Sequence, residues 1–152
     1  MRHEIRTEID IEATPEEVWP HLIGLAAYAD WNPFITSATG SAEEGQRLTL
    51  RMEPPGGRAM TFRPRVTAVS PATHFEWLGH LGVPGLFDGR HCFELVATES
   101  GTRFVQSEEF RGLLVRPLRT MLDGPTRKGF QAMNVALRRR VQEAGRRRDE
   151  TP

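Results

Sequence analysis

The sequence predicts an α+β fold in which one antiparallel sheet is covered by a long C-terminal helix. Three observations support this prediction. A strand with alternating polar and apolar residues opens the chain, turn-separated strand segments occupy its middle, and a segment with three-four spacing of apolar residues closes it. A single sheet of this length must bury one face, and the long helix is the obvious cover.

The first elements are a strand and two short helices. Residues 3–11 alternate between charged side chains and Ile or Thr, which is the pattern of a half-buried strand. Thr14 precedes Pro15, and Glu17 lies three residues after Thr14. This spacing is typical of a helix N-terminus with Thr14 as the N-cap. Gly24 interrupts the helix, and a second short helix is predicted through Tyr28.

The stretch DWNPFI at residues 30–35 is predicted to form a packed corner after these helices. It carries too much aromatic and aliphatic surface for an ordinary exposed turn, and Asn-Pro does not suit a helix interior. We therefore expect Trp31 and Phe34 to be largely buried. The Asn32 side chain should bond to nearby backbone groups in an Asx turn.

Strand segments separated by turns occupy the middle of the chain, at 46–53, 60–69, 74–80, 86–97 and 102–111. The break PPGG at 54–57 separates the first two segments. Glu99-Ser100-Gly101 predicts a hairpin turn between the last two. Pro64 lies inside the segment 60–69, which predicts an edge position or a bulge there because proline cannot donate to the ladder.

The segment from about residue 114 to 145 is predicted to be a long helix. Its apolar residues share one face, with Asn134 beside them, and Gly124-Pro125 should kink or break it. The face consists of Phe130, Met133, Leu137 and Val141. One domain is expected at residues 1–145, followed by a basic, disordered tail at 146–152.

Composition excludes several classes of protein. The formal net charge is zero, which gives no global attraction for nucleic acid or an anionic membrane. No apolar stretch approaches the length of a membrane span, and the N-terminus has no apolar signal region. A single cysteine, Cys92, excludes an internal disulfide and fits a reducing compartment. We therefore expect a cytoplasmic protein.

The sequence resembles the START-like (SRPBCC) superfamily, and within it the polyketide cyclase/dehydrase and lipid-transport branch. The resemblance rests on the order and spacing of short pieces: TPEEVW at 14–19, WNPFI at 31–35, FEW at 75–77, GRHCFEL at 89–95 and GTRFVQSEEFRGLL at 101–114. It implies a helix-grip fold, in which a seven-stranded antiparallel sheet wraps around the C-terminal helix and a hydrophobic cavity lies between them. The resemblance supplies no reaction, because the superfamily includes carriers, receptors and cyclases.

Two polar residues are predicted to point into this cavity. His91 shares a strand face with Phe93, and Glu108 shares one with Phe104 and Phe110. Large apolar residues of a half-buried sheet face inward, so their polar neighbours on the same face do too. Because a short turn joins the two strands, His91 and Glu108 are expected to be cross-strand neighbours within reach of each other.

The predicted ligand site combines this polar pair with apolar walls. Its members are Trp77, His91, Phe93, Phe104, Glu108, Phe110, Phe130, Met133 and Asn134. No cofactor is predicted. No metal site is predicted either, because only two candidate ligands converge in the interior, whereas a site needs at least three.

Three functions remain open at this point. The leading hypothesis is a protein that binds a small hydrophobic or aromatic molecule, lipid-like or polyketide-like, in the cavity. The second is a cyclase or dehydratase that uses His91 and Glu108 as general base and acid. The third is a protein-interaction module with a residual cavity. The sequence assigns no catalytic residue and leaves a homodimer open, and it predicts neither a nucleic-acid partner nor membrane insertion.

Overall fold

The computed structural model describes residues 1–151 and contains eight strands and four α-helices. The strands are β1 (Arg2–Ile11), β2 (Ile35–Thr39), β3 (Thr49–Met52), β4 (Met60–Phe62), β5 (Arg65–Ser70), β6 (His74–His80), β7 (Asp88–Thr98) and β8 (Gly101–Arg111). The helices are α1 (Pro15–Ile23), α2 (Tyr28–Trp31), α3 (Val115–Met121) and α4 (Arg127–Asp149). A 3₁₀ turn at Leu25–Ala27 precedes α2, and a π-helical turn at Leu122–Thr126 joins α3 to α4.

The strands form two antiparallel sheets rather than the single seven-stranded sheet expected. One sheet has five strands in the order β1-β8-β7-β6-β5, and the other has three in the order β2-β3-β4. The predicted strand at 60–69 is broken at Arg63 and Pro64, which adds one strand. A bridge between Arg47 and Arg65, with the bond from Leu48 N to the Pro64 carbonyl, joins the two sheets at this break. Proline has no N–H to donate, so the ladder cannot run unbroken through it.

The corner after α2 is built as the sequence predicts. The Asn32 carboxamide oxygen accepts hydrogen bonds from the backbone N–H groups of Phe34 (2.9 Å) and Ile35 (2.8 Å), which is an Asx turn. Phe34 is buried and lies against Phe130 of α4, with ring centres 5.5 Å apart. Trp31, predicted to be largely buried like Phe34, is instead only half-buried. The corner therefore fastens the start of the small sheet to the long helix.

Helix α4 covers the inner face of the five-stranded sheet. Its buried face contains Phe130, Met133, Leu137 and Val141, as the three-four spacing predicts. The predicted irregularity at Gly124-Pro125 is the π-helical turn. The helix continues to Asp149, so residues 146–149, expected in a disordered tail, are helical. Pro152, the end of that predicted tail, lies outside the described residues.

The core between sheet and helix is continuous and mostly aromatic or aliphatic. Thr14 caps α1 through its hydroxyl, which accepts from Glu17 N as predicted. The inward side chains of β1 pack on α4, and His91 of β7 lies against Phe130 of α4. Within residues 1–151, no helix is both long and apolar enough to cross a membrane.

Candidate functional site: a cleft at one end of the sheet

A cleft opens to solvent between one end of the five-stranded sheet, the three-stranded sheet and the π-helical turn. Apolar side chains from each of these elements form most of its wall. The wall consists of Phe34, Met52, Pro54, Met60, Phe62, Pro64, Trp77, Leu81, Phe87, Phe110, Met121 and Leu122, with Gly79, Gly89 and Thr126. Three ionisable side chains also reach it, namely Arg58, His80 and Glu108. The cleft is therefore apolar with a few polar groups, as small-molecule sites usually are.

Two paired glycines provide the space for the cleft. Gly79 of β6 lies opposite Gly89 of β7, and Gly89 lies opposite Phe110 of β8. By strand alternation both glycines face inward, like Trp77 and His91 two residues away. A side chain at Gly89 would begin 2.9 Å from the Glu108 carboxylate. Because Gly79 and Gly89 carry no side chain, they leave room for the cleft and for the Glu108 side chain.

The next row across the sheet carries the predicted polar pair. Trp77 pairs with His91, and His91 pairs with Glu108, so the three residues lie side by side on β6, β7 and β8. The His91 side chain is 0% exposed and that of Glu108 is 12% exposed. Glu108 and Trp77 line the cleft, whereas His91 lies behind them. The predicted pairing is present, but only the carboxylate of the pair reaches the cleft.

A directional hydrogen-bond network continues from His91 into the core. The Gln106 carboxamide nitrogen donates to Asn134 Oδ1 (2.8 Å) and to the Phe130 carbonyl (3.3 Å), and Asn134 Nδ2 donates to the Thr7 hydroxyl (2.9 Å). These bonds orient the Gln106 amide so that its Oε1 faces His91 Nε2, 2.9 Å away. Because Oε1 can only accept, Nε2 must carry a hydrogen. The network therefore fixes which ring nitrogen donates into the core.

The second ring nitrogen of His91 then faces the cleft carboxylate. Nδ1 lies 3.4 Å from Glu108 Oε1, which is within ion-pair distance but not aligned as a hydrogen bond. The imidazole therefore lies within reach of the cleft carboxylate, and the two groups form a candidate acid–base pair.

Aromatic rings pack closely around His91. The imidazole centre lies 4.9 Å from the Trp77 ring, 4.6 Å from the Phe93 ring and 4.9 Å from the Phe130 ring. These rings hold the imidazole in place beside the carboxylate.

The predicted site residues divide into cleft and core. Trp77, Glu108 and Phe110 line the cleft. The remaining six lie in the packed interior: His91, Phe93, Phe104, Phe130, Met133 and Asn134. Alternation along a strand shows which side chains face inward. It does not show how far each residue lies from the open end of the sheet. Phe93 and Phe104 have the predicted orientation but lie farther from the open end of the sheet than Glu108.

Several cleft residues were not predicted from the sequence. Arg58 lies in the loop after the PPGG break, where no periodicity applies. Gly79 and Gly89 could have been identified as a pair from the sequence. Each stands at an inward-facing position of its strand where large residues would be expected, and the two strands are neighbours along the chain. His80 is exposed, yet it reaches the mouth of the cleft.

The volume of the cleft limits what it admits without rearrangement. It measures about 80 Å³, whereas pockets for drug-sized ligands measure about 300–1,000 Å³. A small ring fits the described state. A larger ligand requires the mouth to widen, and the unbranched Met52, Met60 and Met121 side chains in the wall can change rotamer to allow this.

Comparison with known proteins assigns the family. Residues 2–142 match the family described as polyketide cyclase/dehydrase and lipid transport. The chain belongs to this family. The resemblance predicted from the short sequence pieces is thereby confirmed, and the family supports binding of a small hydrophobic ligand. No curated protein matches the chain significantly in sequence.

Solved structures share the fold over almost the whole chain. The Zhui aromatase/cyclase from Streptomyces sp. R1128 superposes with a TM-score of 0.77 at 17% identity, covering 93% of this chain and 94% of that one. Ara h 8.0201 gives 0.72 at 15% identity, covering 94% and 99%. Protein MLL2253 from Mesorhizobium loti gives 0.69 at 20% identity, covering 93% and 98%. At these identities the matches establish the helix-grip fold alone.

Proposed function

We propose that the protein binds a small, planar and largely apolar molecule in the cleft, with a hydrogen-bond donor of the ligand facing Glu108. The observation that carries this proposal is a carboxylate in an otherwise mainly apolar wall, 12% exposed and beside a buried histidine. A carboxylate in such surroundings is costly unless it is paired. Trp77 and Phe110 line the same cleft and provide flat surfaces for an aromatic or fused-ring ligand.

The direct test is native mass spectrometry of the protein purified from its own host under gentle conditions. A bound aromatic or lipid-like molecule, released on denaturation and reduced in Gly79→Val, is the expected result. Valine at this position would enter the cleft, since the first carbon of a side chain there meets Pro64 at 3.4 Å, an ordinary contact. Retention of the same molecule in Gly79→Val would place it elsewhere on the protein.

The role of Glu108 is tested with a matched pair of probe ligands, 2-naphthol and naphthalene, which differ by one hydroxyl donor. Wild-type protein should prefer 2-naphthol. Glu108→Gln should reduce that preference by about fivefold, because a hydrogen bond to a charged acceptor is stronger than one to a neutral acceptor by about 1 kcal/mol. Glu94→Gln, on the outer face of the neighbouring strand, is the control and should not alter the preference.

A second candidate function is proton transfer to or from the bound molecule. The specific observation that favours it is the close approach of His91 Nδ1 to Glu108 Oε1 (3.4 Å), with only Glu108 reaching the cleft. Glu108 would exchange a proton with the ligand, and His91 would hold the charge and position the carboxylate. The sequence-based version, in which both residues act on the substrate, does not fit this geometry because His91 is fully buried.

This second candidate can be tested with 2-tetralone, a two-ring ketone with exchangeable protons next to its carbonyl. In heavy water, the wild-type protein should accelerate deuterium incorporation, because the Glu108 carboxylate accepts a carbon-bound proton and returns a deuteron. Glu108→Gln should bind the ketone but lose the acceleration. Exchange no faster than in buffer, with binding demonstrated, would refute the catalytic candidate and leave the binding proposal intact.

A further inference from the structure

A cluster of three different metal-ligating side chains lies on the outer face of the five-stranded sheet, away from the cleft. His74 and Glu76 occupy alternate positions of β6, and Cys92 lies on β7 directly opposite Glu76. One potential ligand atom from each residue lies within 4.8 Å of the other two. All three residues are half-buried. Neither the cleft nor its polar network uses any of them.

Two of the three distances within the cluster are close to those of a tetrahedral metal site. Glu76 Oε1 lies 3.5 Å from His74 Nε2 and 3.2 Å from Cys92 Sγ. Zinc bond lengths to nitrogen, oxygen and sulfur, combined with tetrahedral angles, place the oxygen about 3.4 Å from the nitrogen and about 3.6 Å from the sulfur. The nitrogen and the sulfur lie within 4.8 Å of each other, and side-chain rotation would bring all three atoms onto one ion.

Neighbouring groups orient Glu76, and a second carboxylate lies near His74. The Thr67 hydroxyl (2.5 Å) and the Arg90 guanidinium (2.8 Å) both donate to Glu76 Oε2, which leaves Oε1 directed toward the histidine and the cysteine. On the far side of the histidine ring, His74 Nδ1 lies 3.9 Å from the Glu94 carboxylate. A carboxylate behind a metal-bound histidine is the usual arrangement that fixes the ring and its tautomer.

We infer that His74 Nε2, Glu76 Oε1 and Cys92 Sγ bind one divalent transition-metal ion of the Zn²⁺ class, with a solvent molecule as fourth ligand. Nitrogen, sulfur and oxygen donors together favour Zn²⁺ over the oxygen-preferring Mg²⁺ and Ca²⁺. The ion would link β6 to β7 on the face opposite the cleft. Its open position faces solvent and is available to an additional ligand.

Two features weaken the affinity expected for this site. Arg90 offsets part of the Glu76 charge through Oε2. Burial, together with the hydrogen bond to Glu76 and the charge of that carboxylate, raises the pKa of the Cys92 thiol to about 12. Metal binding must therefore release the thiol proton to solvent before the sulfur can coordinate.

The test uses Co²⁺ as a spectroscopic substitute for Zn²⁺, added to the full chain kept reduced with an agent that does not bind metals. The wild type should show thiolate-to-cobalt charge-transfer absorption in the near ultraviolet that Zn²⁺ abolishes by competition. Cys92→Ser should lack this absorption. Absence of the band in the wild type would overturn the inference, whatever the behaviour of the variants.

Affinity measurements identify the other two ligands. His74→Gln and Glu76→Gln should each weaken Zn²⁺ binding by at least about tenfold, as measured by competition with a chromophoric chelator. His21→Gln, on α1 and outside the cluster, is the matched control and should bind Zn²⁺ like the wild type. Equal affinity of the wild type and Glu76→Gln would contradict the assigned geometry. Zn²⁺ should also raise the Tm of the wild type but not that of Cys92→Ser.

Discussion

Replacement of Gln106 by Leu removes the centre of the buried polar network. Gln106 is fully buried and bonds to His91 Nε2 at 2.9 Å and to Asn134 Oδ1 at 2.8 Å. Leucine has a similar size but leaves two atoms, His91 Nε2 and Asn134 Oδ1, without their hydrogen-bond partner. An orphaned buried polar group costs about 1–3 kcal/mol, so the two together should lower the free energy of unfolding by about 2–6 kcal/mol.

Urea unfolding followed by far-ultraviolet circular dichroism measures this loss. The double variant Gln106→Leu/Asn134→Leu also removes the orphaned Asn134 carboxamide oxygen, so it should be about 1–3 kcal/mol more stable than Gln106→Leu alone. Ser107→Ala, one position along β8 on the outer face, is the control and should change stability by less than about 0.5 kcal/mol. A Gln106→Leu variant as stable as the wild type would show that the network does not hold His91 as described.

Three further predictions concern the helix, the corner and the single tyrosine. Phe130→Ala should lower the free energy of unfolding by about 3–5 kcal/mol in urea, because the residue is fully buried. Val135→Ala, on the exposed face of α4, should lower it by less than about 1 kcal/mol. Similar losses for both variants would show that a different face of α4 packs on the sheet. Asn32→Ala removes two hydrogen bonds to backbone N–H groups and should cost about 1–3 kcal/mol without loss of the fold; an unchanged midpoint would contradict the Asx turn. Burial raises the pKa of Tyr28, whose hydroxyl donates to the Leu22 carbonyl. The protonated tyrosine therefore contributes its full share of folding stability below the unfolded-state pKa of about 10, and this share declines as the pH rises above that value. Because the chain has one tyrosine, tyrosinate absorbance should appear only with alkaline unfolding, and ionisation in the folded protein would contradict this.

The orientation of the site residues could be predicted from the sequence because it depends on local periodicity. Inward aromatic neighbours indicated the face of His91 and Glu108, and the short hairpin turn indicated that they pair. The same reasoning applies to Phe130 on α4. These predictions require only the period of a strand or a helix, which the sequence carries directly.

The position of the cleft could not be predicted because it depends on how distant segments meet. Arg58 reaches the cleft from a loop without a repeating pattern, and Phe93 has the same orientation as His91 but lies deeper in the core. The contact from Thr7 to Asn134 joins residues 127 positions apart. The split at Pro64 was predicted as an edge or bulge, but its role in joining two sheets follows only from the tertiary contacts.

The central claim, that the cleft at the Gly79–Gly89 end of the sheet is a ligand site, is tested most directly by nuclear magnetic resonance. A ¹⁵N-labelled sample is titrated with 2-naphthol, and amide shifts are followed together with the Trp77 indole N–H. The account predicts that the largest shifts fall on Gly79, Gly89, Glu108 and the Trp77 indole, all of which belong to cleft-lining residues, and that Gly79→Val abolishes them. Large shifts confined to the outer face of the sheet, or undiminished binding by Gly79→Val, would contradict the account.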